Sequence, residues 1–362
     1  MNQTLSSLQS IDRTQIRFRG RRLTFFGGCD YFRMASHPRV LRAAQSAMKQ
    51  YGLNVAASRY TTGNHKLYDQ LEAILSTAFQ SAGVLLVANG YSTNLVVAQT
   101  LAKSFTHILI DEKAHPSLKD AADIFRGPKH SFRHRDPDDV RRQVARLPAE
   151  ARTILLTDGV FGYDGGTAPL RAYRKVMPGN SWMLVDEAHA AGVLGENGRG
   201  TFELEGIRPV RGIRTLTLSK AFGAYGGAIL GSRLFCNQAT VASRLLAGST
   251  PFPLPMAAAA IRSVQIVMSQ SSARQRLQKS VRLVRESLRQ AGHHLPDYPS
   301  PVITLYPDSG KSARRWEKRL LTNNIHPPWI RYPGGPARGF FRFAISCRHS
   351  QEQLLHLIRA LS

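Results

Sequence analysis

Cysteine is scarce in this chain, acidic residues are few, and no apolar run approaches the length of a membrane span. The three cysteines, Cys29, Cys236 and Cys347, are odd in number, scattered, and without paired ligand spacing. A disulfide framework and structural zinc are therefore not expected, whereas a reducing, cytoplasmic setting is. A bilayer span needs about 20 consecutive apolar residues, and the start of the chain, 1–10, is polar. A soluble protein with no membrane partner is expected. Acidic residues number 24 against 49 Lys and Arg, a net charge of +25, with arginine clusters at 17–22, 141–142 and 314–315. Such a field speeds encounter with anionic partners: nucleic acid, coenzyme A phosphates, or an acidic carrier protein. Charge alone singles out none of them, although no nucleic-acid module with interleaved aromatics is visible. Internal repeats and low-complexity tracts are absent too.

What is present is alternation. The 362 residues exceed one typical domain. They divide into an amino-terminal arm with short β-like stretches (1–35), a large unit (36–250), and a connector helix with a smaller α/β unit (251–362). His37 and Pro38 introduce a helix with Val40, Leu41, Ala44 and Met48 as its apolar positions. A second helix, 65–80, carries Leu67, Leu71, Ile74, Leu75 and Phe79 at core-packing spacing. Short apolar runs at 84–87, 107–110, 153–156, 182–185 and 215–218 alternate with helical patterns, and 226–231 reads as a final strand. This order predicts an α/β fold with a mostly parallel sheet. Beyond it, 256–291 reads as one long helical pattern stopped by Gly292. Strands at 302–305 and 340–345, a helix near 313–321, and a terminal helix opened by Ser350 with Gln353 as a capping box complete the chain.

Two strand exits carry the chemistry. Asp186 follows the run 182–185 and Lys220 follows 215–218, thirty-four positions later. In open α/β sheets ligands bind beyond the carboxyl ends of the strands, where two such groups converge. An amine and a buried carboxylate are what pyridoxal 5'-phosphate requires: a lysine to hold it as a Schiff base and an anion to keep its ring nitrogen protonated. Taken singly, the lysine reads as a surface residue and the aspartate as a helix cap. Other candidates gather at the same edge. The turn Asn89-Gly90-Tyr91-Ser92 opens a helix whose free N–H groups suit a phosphate; Gly90 permits close approach and Tyr91 can pack beside the ring. Thr217, Ser219 and Thr250 offer hydroxyls. His115, after the strand 107–110, can stack on the ring, and His189, three residues past Asp186, can reach its phenolic oxygen. His134 and Asp164 read as loop-forming. Arg342, between aromatics in a buried-looking strand, needs an anion, either a substrate carboxylate or an internal salt bridge.

These motifs together resemble the α-oxoamine synthases of the fold-type I pyridoxal-phosphate enzymes. The resemblance runs from about Phe25 to the carboxyl terminus. It rests on SHPRV (36–40), ANGYSTN (88–94), DEKAHPS (111–117), TDGVFGYDGGTAPL (157–170), VDEAHAAGVLGENGRG (185–200), TLSKAFGAYGG (217–227) and RFAISCRH (342–349). It implies a large domain with a seven-stranded, mostly parallel sheet and a smaller carboxyl-terminal domain. It also implies that Lys220 holds the cofactor, Asp186 pairs with the ring nitrogen, His115 stacks, and His189 contacts the phenolic oxygen. Gly90, Tyr91, Asp158, Thr217 and Ser219 then surround the cofactor, Thr250 reaches the phosphate of a neighbouring subunit in a homodimer, and Arg342 takes the substrate carboxylate. Four positions depart from the family pattern. Cys29 stands for an asparagine that helps bind the amino acid, Asp158 for a glutamate, Gly162 for a serine, and Tyr68 for a histidine. The implied reaction is decarboxylative condensation of a small amino acid (alanine, glycine or serine) with an acyl thioester of coenzyme A or an acyl-carrier protein. An 8-amino-7-oxononanoate synthase-like role leads. The departures keep two alternatives open: another reaction on the same scaffold, such as transamination, aldol cleavage or simple decarboxylation, and a non-catalytic cofactor-binding regulator.

Overall fold

The computed structural model describes residues 7–332 and 335–362; part of the polar start read at 1–10, and of the arm 1–35, lies outside them. The central sheet has seven strands: β4 (Gly83–Val87), β5 (His107–Asp111), β6 (Lys129–Phe132), β7 (Thr153–Asp158), β8 (Trp182–Asp186), β9 (Gly212–Thr217) and β10 (Gly227–Gly231). The arm supplies β1 (Gln9–Ser10), β2 (Gln15–Phe18) and β3 (Arg21–Thr24) before it, and the small unit β11 (Val302–Leu305), β12 (Trp329–Ile330) and β13 (Phe340–Ala344) after it. Central strands lie in the order β4-β10-β9-β8-β7-β5-β6. Only β10 runs against the rest, antiparallel to both β4 and β9. This is the fold-type I architecture expected from the motifs.

The strands are near-continuous apolar runs because both faces of the sheet are covered. Successive residues serve opposite faces: Leu85 and Val87 join one cluster with the helices Gly90–Leu101 and Pro116–Ile124, while Leu86 joins another with Lys66–Phe79 and Leu254–Ser269. The helix Lys66–Phe79 is capped by the His65 side chain, and Leu67, Leu71, Leu75 and Phe79 are buried. In Pro38–Tyr51 the pattern is looser. Val40 is buried, but Leu41 and Met48, expected on the apolar face, are each 45% exposed.

One expectation is corrected. The pattern 256–291 is two helices, Leu254–Ser269 and Ser271–Gln290, parted at Gln270 (φ −102°, ψ 78°). The polar tract Ser269-Gln270-Ser271-Ser272 competes for backbone hydrogen bonds and interrupts the helix without proline. Arg274 then donates through Nη1 to Val267 O at 2.7 Å, satisfying a carbonyl left at the end of the first helix. The strand β6 and the helix Arg233–Ala242 were not expected. At the terminus the capping box of Ser350 and Gln353 is present in both directions. No helix among the described residues is long and apolar enough to cross a membrane.

The arm binds the small unit. Thr24 N–H donates to Asn324 O at 2.7 Å, and Ala344 N–H donates to Phe26 O at 2.6 Å. Past Phe26 the chain enters the sheet's carboxyl edge, where Cys29 and Tyr31 join the site.

Candidate active site

Strand order sets the site. Because β9, β8, β7 and β5 are consecutive neighbours and parallel, their carboxyl ends place Lys220, Asp186, Asp158 and His115 in a row. They line a cavity of about 310 Å³ together with Gly90, Tyr91, His189, Thr217 and Ser219, and with Asn89, Ser117 and Ala188. Every residue assigned to the cofactor from sequence is therefore on one wall or another, except Thr250. That residue lines a separate cavity of about 30 Å³ with Arg59, Tyr60 and Ser92, and a single chain does not bring it to the main one.

Asp186 is held at both carboxylate oxygens. Its Oδ1 accepts from Ala188 N–H at 2.9 Å and its Oδ2 from Asn94 Nδ2 at 2.8 Å. Asn94 is itself fixed, accepting from Thr215 Oγ1 at 2.7 Å and donating to Ser117 Oγ at 2.9 Å. Sequence reasoning gave Asn94 no role. Its signal was an amide on the buried face of a helix, one residue ahead of the apolar run Leu95 to Ala98, which demands partners. Asp158, paired with Asp186 in register, accepts from His115 N–H at 2.8 Å and so positions that histidine. Burial, and then the Asp186 charge, raise the Asp158 carboxyl well above its ordinary range.

Lys220 Nζ lies 2.9 Å from His189 Nε2, and Tyr31 Oη lies 2.7 Å from His189 Nδ1. Burial, followed by the charges of Lys220 and Arg342, lowers His189 well below the usual imidazole range, so it bridges as a neutral ring. Burial also lowers Lys220, which favours the free amine that attacks a carbonyl. Tyr31 was missed because nothing local links it to a histidine 158 positions away.

Arg342 donates through Nε to Gly162 O at 2.6 Å and through Nη2 to Cys29 Sγ at 3.6 Å. No carboxylate among the described residues forms an ion pair with it, so the internal salt bridge weighed above is not formed. Burial raises the Cys29 thiol, but Arg342 and Lys220 outweigh it and the net shift is downward. Gly162 has no space for a side chain here: a Cβ would meet His189 Nε2 at 2.7 Å. Tyr68 packs edge-on to Phe252 and donates to its carbonyl at 2.7 Å. Tyr91, 42% exposed, turns its hydroxyl to Asp120 and sets its ring edge-on to His115. His134 and Asp164 do more than form loops. His134 Nδ1 bonds Asp111 at 2.8 Å and Arg135 bonds Asp164 at 3.2 Å, anchoring the segment that carries Gly162.

The donor set fits pyridoxal phosphate. At Gly90, where the helix Gly90–Leu101 begins, a Cβ would sit 2.6 Å from Thr217 Cβ, so only glycine lets this helix start press against β9. That start, with the Thr217 and Ser219 hydroxyls 2.8 Å apart, suits a phosphate. Asp186 suits a protonated ring nitrogen, and Lys220 an aldehyde. No group of three potential metal ligands occurs among the described residues.

The model of the family described as aminotransferase class I and II matches residues 26–361. An 8-amino-7-oxononanoate synthase from Thioalkalivibrio sulfidiphilus is 33% identical over 94% of this chain and 88% of its own. One from Trichlorobacter lovleyi is 32% identical over 98% and 93%. The chain is an α-oxoamine synthase. Among solved structures, the synthase is similar to a serine palmitoyltransferase from Sphingomonas wittichii, with a TM-score of 0.91 and 26% identity over 98% of this chain and 90% of that one. It shares the fold of an 8-amino-7-oxononanoate synthase from Francisella tularensis, with a TM-score of 0.80 and 21% identity over 94% and 96%. This is a family of pyridoxal-phosphate-dependent acyltransferases.

Two outcomes follow for the synthase. Lys220→Ala should abolish turnover and the visible absorbance that a lysine-bound cofactor gives; an active, yellow variant would overturn the assignment. Glu187, next to Asp186, accepts from Thr201 N–H and Oγ1. Burial pushes its carboxyl up to about 7. A folded-state value above the unfolded one means stability is fullest below about pH 4.5 and lost as pH rises through about 7, by on the order of 3 kcal/mol. Denaturant titrations at several pH values should show Glu187→Gln lacking that slope, and equal slopes would contradict the shift.

Proposed function

We propose that this synthase condenses alanine with a heptanedioyl thioester, releasing carbon dioxide and a thiol and forming 8-amino-7-oxononanoate. The product named for the curated relatives defines the pair. Cutting its bond between the ketone carbon and the amine-bearing carbon leaves a seven-carbon diacyl unit and alanine without its carboxyl carbon. The observation that carries the reading is a short relay across Gly162. Lys220 meets His189, His189 fills the space against Gly162, and the Gly162 carbonyl holds a buried Arg342 that has no carboxylate partner among the described residues. An amine and an unpaired guanidinium thus flank one small space, which suits an α-amino acid.

Pyridoxal phosphate, when bound, supplies an electron-accepting ring for the amino acid's α-carbon. Asp186 keeps a proton on the ring nitrogen, aimed by Asn94 and Ala188. His115 covers a ring face, and the helix start at Gly90 with Thr217 and Ser219 takes the phosphate. Lys220 carries the proton removed from the α-carbon, with His189 beside it. Arg342 grips the substrate carboxylate, and Cys29, which occupies one of its nitrogens, yields that place. We place the enzyme in the cytoplasm as a homodimer. Support for the dimer comes from apolar side chains left exposed along one stretch, Leu41, Met48 and Leu53, and from Thr250, which serves no cavity large enough for the cofactor in its own chain.

Thiol release should require both substrates, with alanine and heptanedioyl-coenzyme A preferred over glycine, serine and palmitoyl-coenzyme A. Release with serine and palmitoyl donor alone would transfer the reading to the serine palmitoyltransferase reaction. Amino-group transfer to a keto acid without thiol release would replace it with transamination. Arg342→Met should raise the KM for the amino acid about 100-fold with a smaller change in kcat, the loss typical of stranding a buried charge pair; an unchanged KM would remove Arg342 from the substrate site.

A further inference from the structure

We propose that the hairpin β2–β3 and the outer face of the helix Gly310–Thr322 form one docking surface for an acidic acyl-carrier protein that presents the thioester. The inference rests on the acyl-transfer reading above and names the partner for it. Two of the three arginine clusters in the sequence stand about three hundred positions apart, and folding sets the hairpin that carries one against the end of the helix that carries the other. Arg21 Nη2 donates to Leu321 O at 2.6 Å and to Asn324 Oδ1 at 3.1 Å, and Phe18 packs edge-on to His326 with ring centroids 5.0 Å apart. On the helix, Ala313 and Leu320 are buried while Lys311, Arg314, Arg315 and Lys318 are exposed. Their spacing of three and four residues lines them along one face, about 10 Å from first to last at the helical rise.

On this face Arg22 pairs with Asp12 at 3.2 Å, but the other exposed cations stand without a countercharge among the described residues. Among the described residues no carboxylate pairs with Arg17, Arg19, Lys311, Arg314, Arg315 or Lys318. The third cluster behaves differently: Arg141 pairs with Asp138 at 2.6 Å and Arg142 with Asp139 at 3.0 Å. Crowded like charges raise the local potential, and an anionic partner relieves them. Its charges are spread over two elements, which suits a broad acidic surface better than one phosphate group. It is also joined to the catalytic centre. From Thr24, the end of β3, to Cys29, which touches Arg342, is five residues, at most about 17 Å of extended chain. A carrier seated on the hairpin and helix would hold its tethered acyl group beside the small unit that carries Arg342.

The test uses the enzyme loaded with pyridoxal phosphate, alanine, and a heptanedioyl group on either an acyl-carrier protein or coenzyme A. For the double variants Arg314→Glu/Arg315→Glu and Arg17→Glu/Arg19→Glu, kcat/KM with the carrier-bound donor should fall about tenfold or more, while that with coenzyme A stays within about twofold. Raising salt from about 50 to about 500 mM should suppress the carrier reaction of the unaltered enzyme far more than the coenzyme reaction. Milder Arg314→Gln/Arg315→Gln should give an intermediate loss, which separates a docking effect from misfolding. The inference is overturned by an unchanged carrier reaction, by equal loss with both donors, or by duplex DNA displacing labelled carrier protein as readily as unlabelled carrier does. Binding of labelled carrier, followed by fluorescence anisotropy, keeps the two readings apart. Patch-dependent binding without condensation from any donor would sink the reaction and retain the surface. Condensation from the carrier that survives the variants would do the reverse.

Discussion

A buried negative charge at the end of β8 is the constraint around which this site is built. Asp186 is 6% exposed, and its hydrogen bonds come from neutral donors, an amide and a backbone N–H. Such donors orient a carboxylate without supplying a countercharge, so the anion remains available to a cationic ring nitrogen. The surrounding order follows. Asn94 must be immobile to aim it, which requires Thr215 on β9 and Ser117 beyond β5, and these in turn lock the helix Gly90–Leu101 across the sheet. Asp158, next to Asp186, is driven toward its neutral form by burial and then by the neighbouring charge.

The opposite wall is cationic, and its parts come from distant stretches of chain. Lys220 ends β9, Arg342 sits on β13, and Tyr31 and Cys29 arrive from the arm. His189 stands between the lysine and the arm as a neutral link. The cavity is thus polarised, an acid at the ring-nitrogen end and the Arg342 guanidinium with the Lys220 amine at the substrate end, and burial strengthens their interactions relative to water. The arm is part of that wall and not an appendage.

How far this was legible follows from how each residue is specified. Lys220, Asp186, His115 and His189 were readable because each lies within five residues of the end of a short apolar run, and parallel strand exits share one edge. Gly90 was readable as a point of close approach at a helix start. Asn94 lay inside a helix and its meaning depended on which strand it faced. Tyr31 reached His189 only through the path of the arm, which periodicity does not describe. The single helix expected over 256–291 failed at Gln270 because helical spacing of apolar residues survives a one-residue interruption. Arg342 was recognised as needing an anion, but only the three-dimensional arrangement shows that no carboxylate among the described residues pairs with it.

The reversed strand β10 has a further consequence. Lys220 does not stand at the start of a helix, as Gly90 and His115 do; it lies in the short connection between β9 and β10, whose ladder begins at once with Thr217 opposite Gly227. Thr217 is thereby locked by its partner strand on one side, and Gly227 is locked to Val87 on the other. A one-residue slip would turn every side chain of β10 to the wrong face. The amine's position is therefore set by strand register, which admits whole steps only, so gradual drift of this residue is not available to the fold.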